Sequence, residues 1–145
     1  MPPPKTAATS TLAPAGFPGA RIYAGYLALQ AFLGVVQWVL VAVSPTVRGG
    51  YEILGSHRAV TNAFAVADIV TIVASALSAW ALAKDRPWAV PMLAFTLGAV
   101  FYPTVYLLGW MAFSGDAPTV ALAEMVVVST LTGWITYQTW RASRR

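Results

Sequence analysis

Cysteine is absent from the chain, and His57 is its only histidine. No disulfide framework, thiolate nucleophile or cysteine-ligated metal can form. A single histidine excludes multi-histidine zinc, copper and di-iron sites, and bis-histidine haem ligation, within one chain. No metal and no cofactor is expected. Charge is scarce too: Asp, Glu, Lys and Arg make up 10% of the 145 residues, against about 25% in an ordinary soluble domain. So few charges cannot cover a water-facing surface. Soluble enzymes, disordered regulators and nucleic-acid binders are excluded on that ground.

What is present is apolar. Hydrophobic residues make up 58% of the chain, and its mean hydropathy is +0.66. They gather into four runs, 23–44, 61–83, 88–113 and 118–140. Each exceeds the ~20 residues that cross a bilayer core as a helix. The runs show no period-2 alternation, so a barrel is disfavoured. Breakers separate them: Ser44-Pro45 and Gly49-Gly50, the KDRP turn at 84–87, and SGDAP at 114–118. The expected fold is an all-α integral membrane protein, a four-transmembrane-helix bundle over residues 21–145. Residues 1–20 hold five of the ten prolines and no apolar stretch, which predicts a disordered tail and not a signal peptide. The outer segment 45–60 contains a short apolar stretch between glycines, expected to form a half-helix or lid.

Four spans put both termini on one side. Lys5, Arg21, Lys84, Arg86, Arg141, Arg144 and Arg145 lie on that side, and only Arg48 and Arg58 on the other. The positive-inside rule makes the termini cytoplasmic, in the cell (inner) membrane. The net charge of +4 is then read as orientation and contact with anionic membrane lipids, with no nucleic acid as partner. The six tryptophans fall mostly toward span ends, as an aromatic belt would.

Ionisable residues inside the bilayer are costly and mark function. Two occur, Asp68 in the second span and Glu124 in the fourth. At ~1.5 Å per residue both lie roughly 10 Å below the outer face, as do Gln37 and Tyr106. Asp68, Glu124, Gln37 and Tyr106 are therefore expected to share one polar layer, as a ligand or proton site, a register-fixing hydrogen-bond layer, or a contact to another protein. Gln37 and Tyr106 are the expected cross-helix partners of Asp68. Tyr23, Tyr26, Gln30, Gly34 and Gln37 form one stripe of the first span, and Asp68, Thr71 and Ser75 one stripe of the second. Glu124 lies among valines and leucine, so it faces either inward or toward a partner subunit.

Small residues recur every four positions along the second span: Ala63, Ala67, Thr71, Ser75, Ala79 and Ala83. Such a stripe lets a helix of the same chain, or of another subunit, approach closely; an alanine-rich composition can also produce it. In the third span, Pro103 frees the carbonyl of Ala99 between Tyr102 and Tyr106.

No phosphate loop, paired-carboxylate motif, Ser-His-Asp set or haem motif is present, and no catalytic residue is assigned. In length and span number the chain resembles three families. It resembles the four-span scaffold of sterol biosynthesis, with Arg58 before the second span and VVVST at 126–130 leading to a basic tail; the family's Arg-Thr-Phe-Gly run is Arg58-Ala-Val-Thr here. That resemblance implies a non-catalytic scaffold. It is similar to the membrane-associated eicosanoid and glutathione transferases through Arg58 and Asn62 in an Arg-x-x-x-Asn spacing, with Ala65 where they carry an acid and no span-three arginine. That implies a lipid-modifying or glutathione-using enzyme. It also resembles the small multidrug-resistance transporters, although the first span carries Gln30 and Gln37 instead of their acid. The leading expectation is a small accessory or scaffold subunit packed against other membrane subunits, or against itself as a homo-oligomer. The alternative is a small transporter or lipid/polar-ligand-binding bundle using Asp68 and Glu124, and the third is the enzyme.

Overall fold

A computed structural model describes residues 19–51, 58–114 and 119–144. These residues form helices α1 (Ala20–Val43), α2 (Pro45–Tyr51), α3 (Arg58–Ala83), α4 (Ala89–Ser114) and α5 (Thr119–Ser143), with no strand among them. The tail expected over 1–20 lies outside the described residues up to position 18, as does 52–57 of the outer segment.

The boundaries follow from local chemistry. Gly19 precedes α1 at φ 106°, a left-handed conformation that glycine adopts without steric cost. Ser44 ends α1 because the residue before a proline is pushed out of the α region; its φ and ψ are −118° and 110°. The same serine caps α2. Its Oγ accepts the Val47 N–H at 3.4 Å, and Pro45 takes the first helical position, where no N–H is needed. After α3, Asp85 turns at φ 47° and the Arg86 N–H reaches back to the Ala81 carbonyl at 2.9 Å, closing the helix end.

α1 packs chiefly on α3, α3 on α4, and α4 on α5, whereas α1 and α5 barely meet. Small and hydroxylated side chains make up much of the interior, with Leu27, Leu93 and Val100 the largest that are fully buried. Alanine fills most of the buried apolar positions, and Ser75, Ser78, Thr96, Thr104, Ser129, Thr132 and Thr139 are buried beside it. Large side chains point outward, among them Phe32, Val66, Tyr102 and Phe113. Water-soluble proteins bury their large apolar residues, and the reverse arrangement belongs to helices packed in lipid. Ala20–Val43, Phe64–Ala83 and Ala89–Phe113 are long and apolar enough to cross a membrane. The chain is thus a helical membrane protein. α5 has the length, with 25 residues, but is less apolar.

Hydroxyl and amide groups join the helices. Gln30 is the hub: its Nε2 donates to Ser75 Oγ at 3.0 Å, and its Oε1 accepts from Thr132 Oγ1 at 3.3 Å, tying α1 to α3 and α5. Ser78 and Thr96 pair at 2.9 Å, and Thr104 and Ser129 at 2.7 Å. Ser75, Thr96 and Thr104 also donate to the carbonyl four residues earlier, so each of these hydroxyls has a partner in the apolar interior.

The small-residue stripe of α3 is packed within the chain at its middle, while Ala83 at its end is exposed. Ser75 and Ala79 are buried, and Ile72 lies so close to α1 that a Cβ on Gly34 would come within 2.7 Å of its Cγ1. The side chain of Ala63 lies outside the described residues. Thr71 Oγ1 stands 3.4 Å from the Ala99 carbonyl, the acceptor that Pro103 leaves without its helical N–H.

Candidate functional site

The sparse contact between α1 and α5 leaves a cavity of about 280 Å³, floored by α3 and α4. Its polar groups are Tyr26, Gln30, Gln37 and Trp38 from α1, Asp68, Thr71 and Ser75 from α3, and Glu124 from α5. Leucine, isoleucine and valine side chains make up most of the remaining wall. A smaller recess continues from it toward α2, bounded by Tyr51, Phe64 and Leu107 and again by Asp68 and Glu124. No Lys, Arg or His lines either space among the described residues.

Asp68 is half-buried, and its Oδ2 accepts the indole N–H of Trp38 at 2.9 Å. Glu124 is also half-buried and faces inward, its Oε2 accepting the Tyr51 hydroxyl at 3.3 Å. The two carboxylates lie close enough to interact electrostatically, but no hydrogen bond joins them. Burial, and then the negative charge of Glu124, push the Tyr51 hydroxyl above its ordinary range, which keeps it a donor. Tyr51 thereby ties the short helix α2 to α5 across the mouth of the recess. The Tyr26 hydroxyl oxygen is shielded from solvent beside Thr132, without hydrogen-bonding geometry to any partner.

Of the four residues expected in one layer, Asp68, Glu124 and Gln37 line the same cavity and Tyr106 does not. Tyr106 is 43% exposed, and its ring meets Phe64 edge-on at 5.4 Å. The partner of Asp68 is neither Gln37 nor Tyr106 but Trp38, which composition had placed in an aromatic belt. Thr71 and Ser75 spend their hydroxyl protons on backbone carbonyls and leave Asp68 to the indole. Trp38 and Tyr51 are the functional side chains that sequence reasoning missed. The available signal was depth: Trp38 lies one residue beyond Gln37 in the same layer.

Among the described residues no group of three or more His, Cys, Asp and Glu could hold a metal ion. Neither family models, nor curated proteins, nor solved structures give any match to this chain.

Proposed function

We propose that this chain is a four-span bundle with cytoplasmic termini that holds a small ligand within the membrane, in the acidic cavity between α1 and α5. One observation carries the reading: Asp68 and Glu124, from separate helices, line a single cavity with no basic residue beside them among the described residues. A carboxylate in hydrocarbon is costly and is retained where it serves a cavity, a relay or a partner. For the fourth crossing the support is the pairing of α5 with α4, from Thr136 beside Leu93 to Ser129 beside Thr104. Arg21, Lys84, Arg86, Arg141 and Arg144, gathered at one end among the described residues, support the orientation.

The chain's lack of cysteine makes the test direct. Val128→Cys, in the cavity wall, is expected to react with a water-soluble maleimide faster than Phe101→Cys on the outer surface. Equal or slower reaction at position 128 would remove the cavity as a ligand site.

A second reading, the accessory subunit, rests on a separate groove. Ala24, Gly25, Ala28 and Ala31 of α1 face Ala76, Ala79 and Ala83 of α3 across it, and it shares no residue with the acidic cavity. Small residues of this kind admit a further helix. Native mass after mild solubilisation tests it, and a monomer under every condition counts against it.

A further inference from the structure

We propose that the ligand of the acidic cavity is a monovalent organic cation, an ammonium with a compact apolar body. The proposal rests on the reading of this cavity as a ligand site and goes on to name the chemistry.

The charge comes first. Two carboxylates line the cavity and its recess, and no basic side chain among the described residues offsets them. Each carboxylate uses one oxygen, Asp68 Oδ2 toward Trp38 and Glu124 Oε2 toward Tyr51. The second oxygen of each has no partner among the described residues. An ionised carboxylate accepts at both oxygens, so the site retains acceptor capacity and negative charge.

The walls then narrow the choice. Among the described residues no third Asp, Glu, His or Cys joins the two carboxylates, so the cavity lacks the ligand set of a metal ion. An organic ammonium pairs its charge with the carboxylates, and any N–H it carries finds acceptors in the Gln37 amide and the Tyr26 hydroxyl oxygen, neither of which has a hydrogen-bond partner among the described residues. A quaternary ammonium needs no hydrogen bond. It needs opposite charge, apolar surface and aromatic faces. Leu29, Leu33, Ile72, Val128 and Leu131 supply the surface, and Trp38 and Tyr26 contribute rings. A volume of about 280 Å³ admits a compact body only.

The titratable groups facing the site are Tyr26 from α1, Tyr51 from α2, Asp68 from α3 and Glu124 from α5; α4 contributes none. Protonation of the carboxylates removes the charge the cation requires, so binding weakens as pH falls.

The full chain in nanodiscs is titrated with radiolabelled benzyltrimethylammonium, and the labelling of Val128→Cys by maleimide is followed in parallel. Its uncharged carbon isostere, neopentylbenzene, is the control. The cation is expected to bind and to protect the cysteine, whereas the isostere protects it poorly. Asp68→Asn and Glu124→Gln are each expected to weaken cation binding at least about tenfold, and Asp68→Glu to retain it. In the unaltered protein, affinity should fall as the pH is lowered and the carboxylates lose their charge, a readout that needs no variant to fold. Equal protection by the isostere would overturn the cation proposal while leaving the cavity reading intact, as would unchanged affinity in both charge-removing variants. A cysteine at position 128 that never reacts would overturn both.

Discussion

Trp38 holds Asp68 through a single indole N–H at 2.9 Å, and this contact separates the carboxylate from the surrounding hydrocarbon. Replacing Trp38 with Phe keeps an aromatic ring but removes the donor. A half-buried carboxylate left without its partner costs about 1–3 kcal/mol. Trp38→Phe is therefore expected to lower thermal stability in nanodiscs, and Asp68→Asn to recover part of the loss in the double variant. Additive losses would show that the indole bond contributes little. Gly34 offers a second test at the same scale. A methyl group there meets Ile72 Cγ1 at 2.7 Å, too close for real atoms. Gly34→Ala should lower stability by about 1–3 kcal/mol, the usual range for overpacking, and Ile72→Val should relieve it. The sequence marked Asp68 and Glu124 as ionisable residues within apolar runs, and depth joined Gln37 to them, because distance along a helix is fixed by its rise. Depth carries no azimuth. Tyr106 has the right depth but lies about 120° around α4 from the cavity-lining Val100, at ~100° per residue, so its ring faces outward against Phe64. Trp38, one residue beyond Gln37, takes the hydrogen bond that a depth argument assigns equally to either.

At the scale of elements, the breakers and apolar runs place helix ends closely. The runs at 23–44 and 88–113 correspond to Ala20–Val43 and Ala89–Ser114, because Ser-Pro and a charged turn act locally on the backbone. The interhelical hydroxyl pairs were not legible, since Ser and Thr also bond their own helix and nothing local says which neighbour they meet. Pro103 shows how two elements depend on one another. It leaves the Ala99 carbonyl without its helical N–H, and Thr71 on α3 stands 3.4 Å from that oxygen. Thr71→Val should thus destabilise the protein by about 0.5–1.5 kcal/mol. Pro103→Ala restores the N–H within α4 and competes for the same acceptor, so Thr71→Val should cost less in that background. A double-mutant cycle on thermal stability reads the coupling directly. A coupling energy of zero would mean that the threonine serves only the Ala67 carbonyl, 3.3 Å away in its own helix.

The whole molecule is organised by size and charge. Its interior is rich in alanine, serine and threonine around a few larger side chains such as Leu27 and Leu93, and its exterior carries many large apolar side chains, phenylalanine among them, that are buried against lipid. The two ends differ. Arg86 lies over Trp80 at 5.0 Å and Arg144 over Trp140 at 3.9 Å, one interfacial girdle of cation–aromatic pairs at the end that also carries Arg21, Lys84 and Arg141. At the other end Arg48 donates to Asn62 Oδ1 at 3.0 Å. The positive-inside rule then assigns the girdle to the cytoplasm, provided that α5 crosses. Its 25 residues span about 37 Å at ~1.5 Å per residue, enough for the ~30 Å core. Glu124 and a run of hydroxyls reduce its hydropathy, but Thr132 and Thr139 are fully buried and Glu124 lines the cavity, so much of that polarity faces protein, with Thr130 returning its proton to the Val126 carbonyl of its own helix. The count of crossings is decided by single cysteines in this cysteine-free chain. Thr46→Cys, in α2, should react with an impermeant maleimide on intact cells. Asp85→Cys and Ser143→Cys should react only after permeabilisation. Were α5 to lie along the surface instead, Ser143→Cys would share the side of Thr46→Cys and label without permeabilisation, and the cavity would lose the wall that holds Glu124.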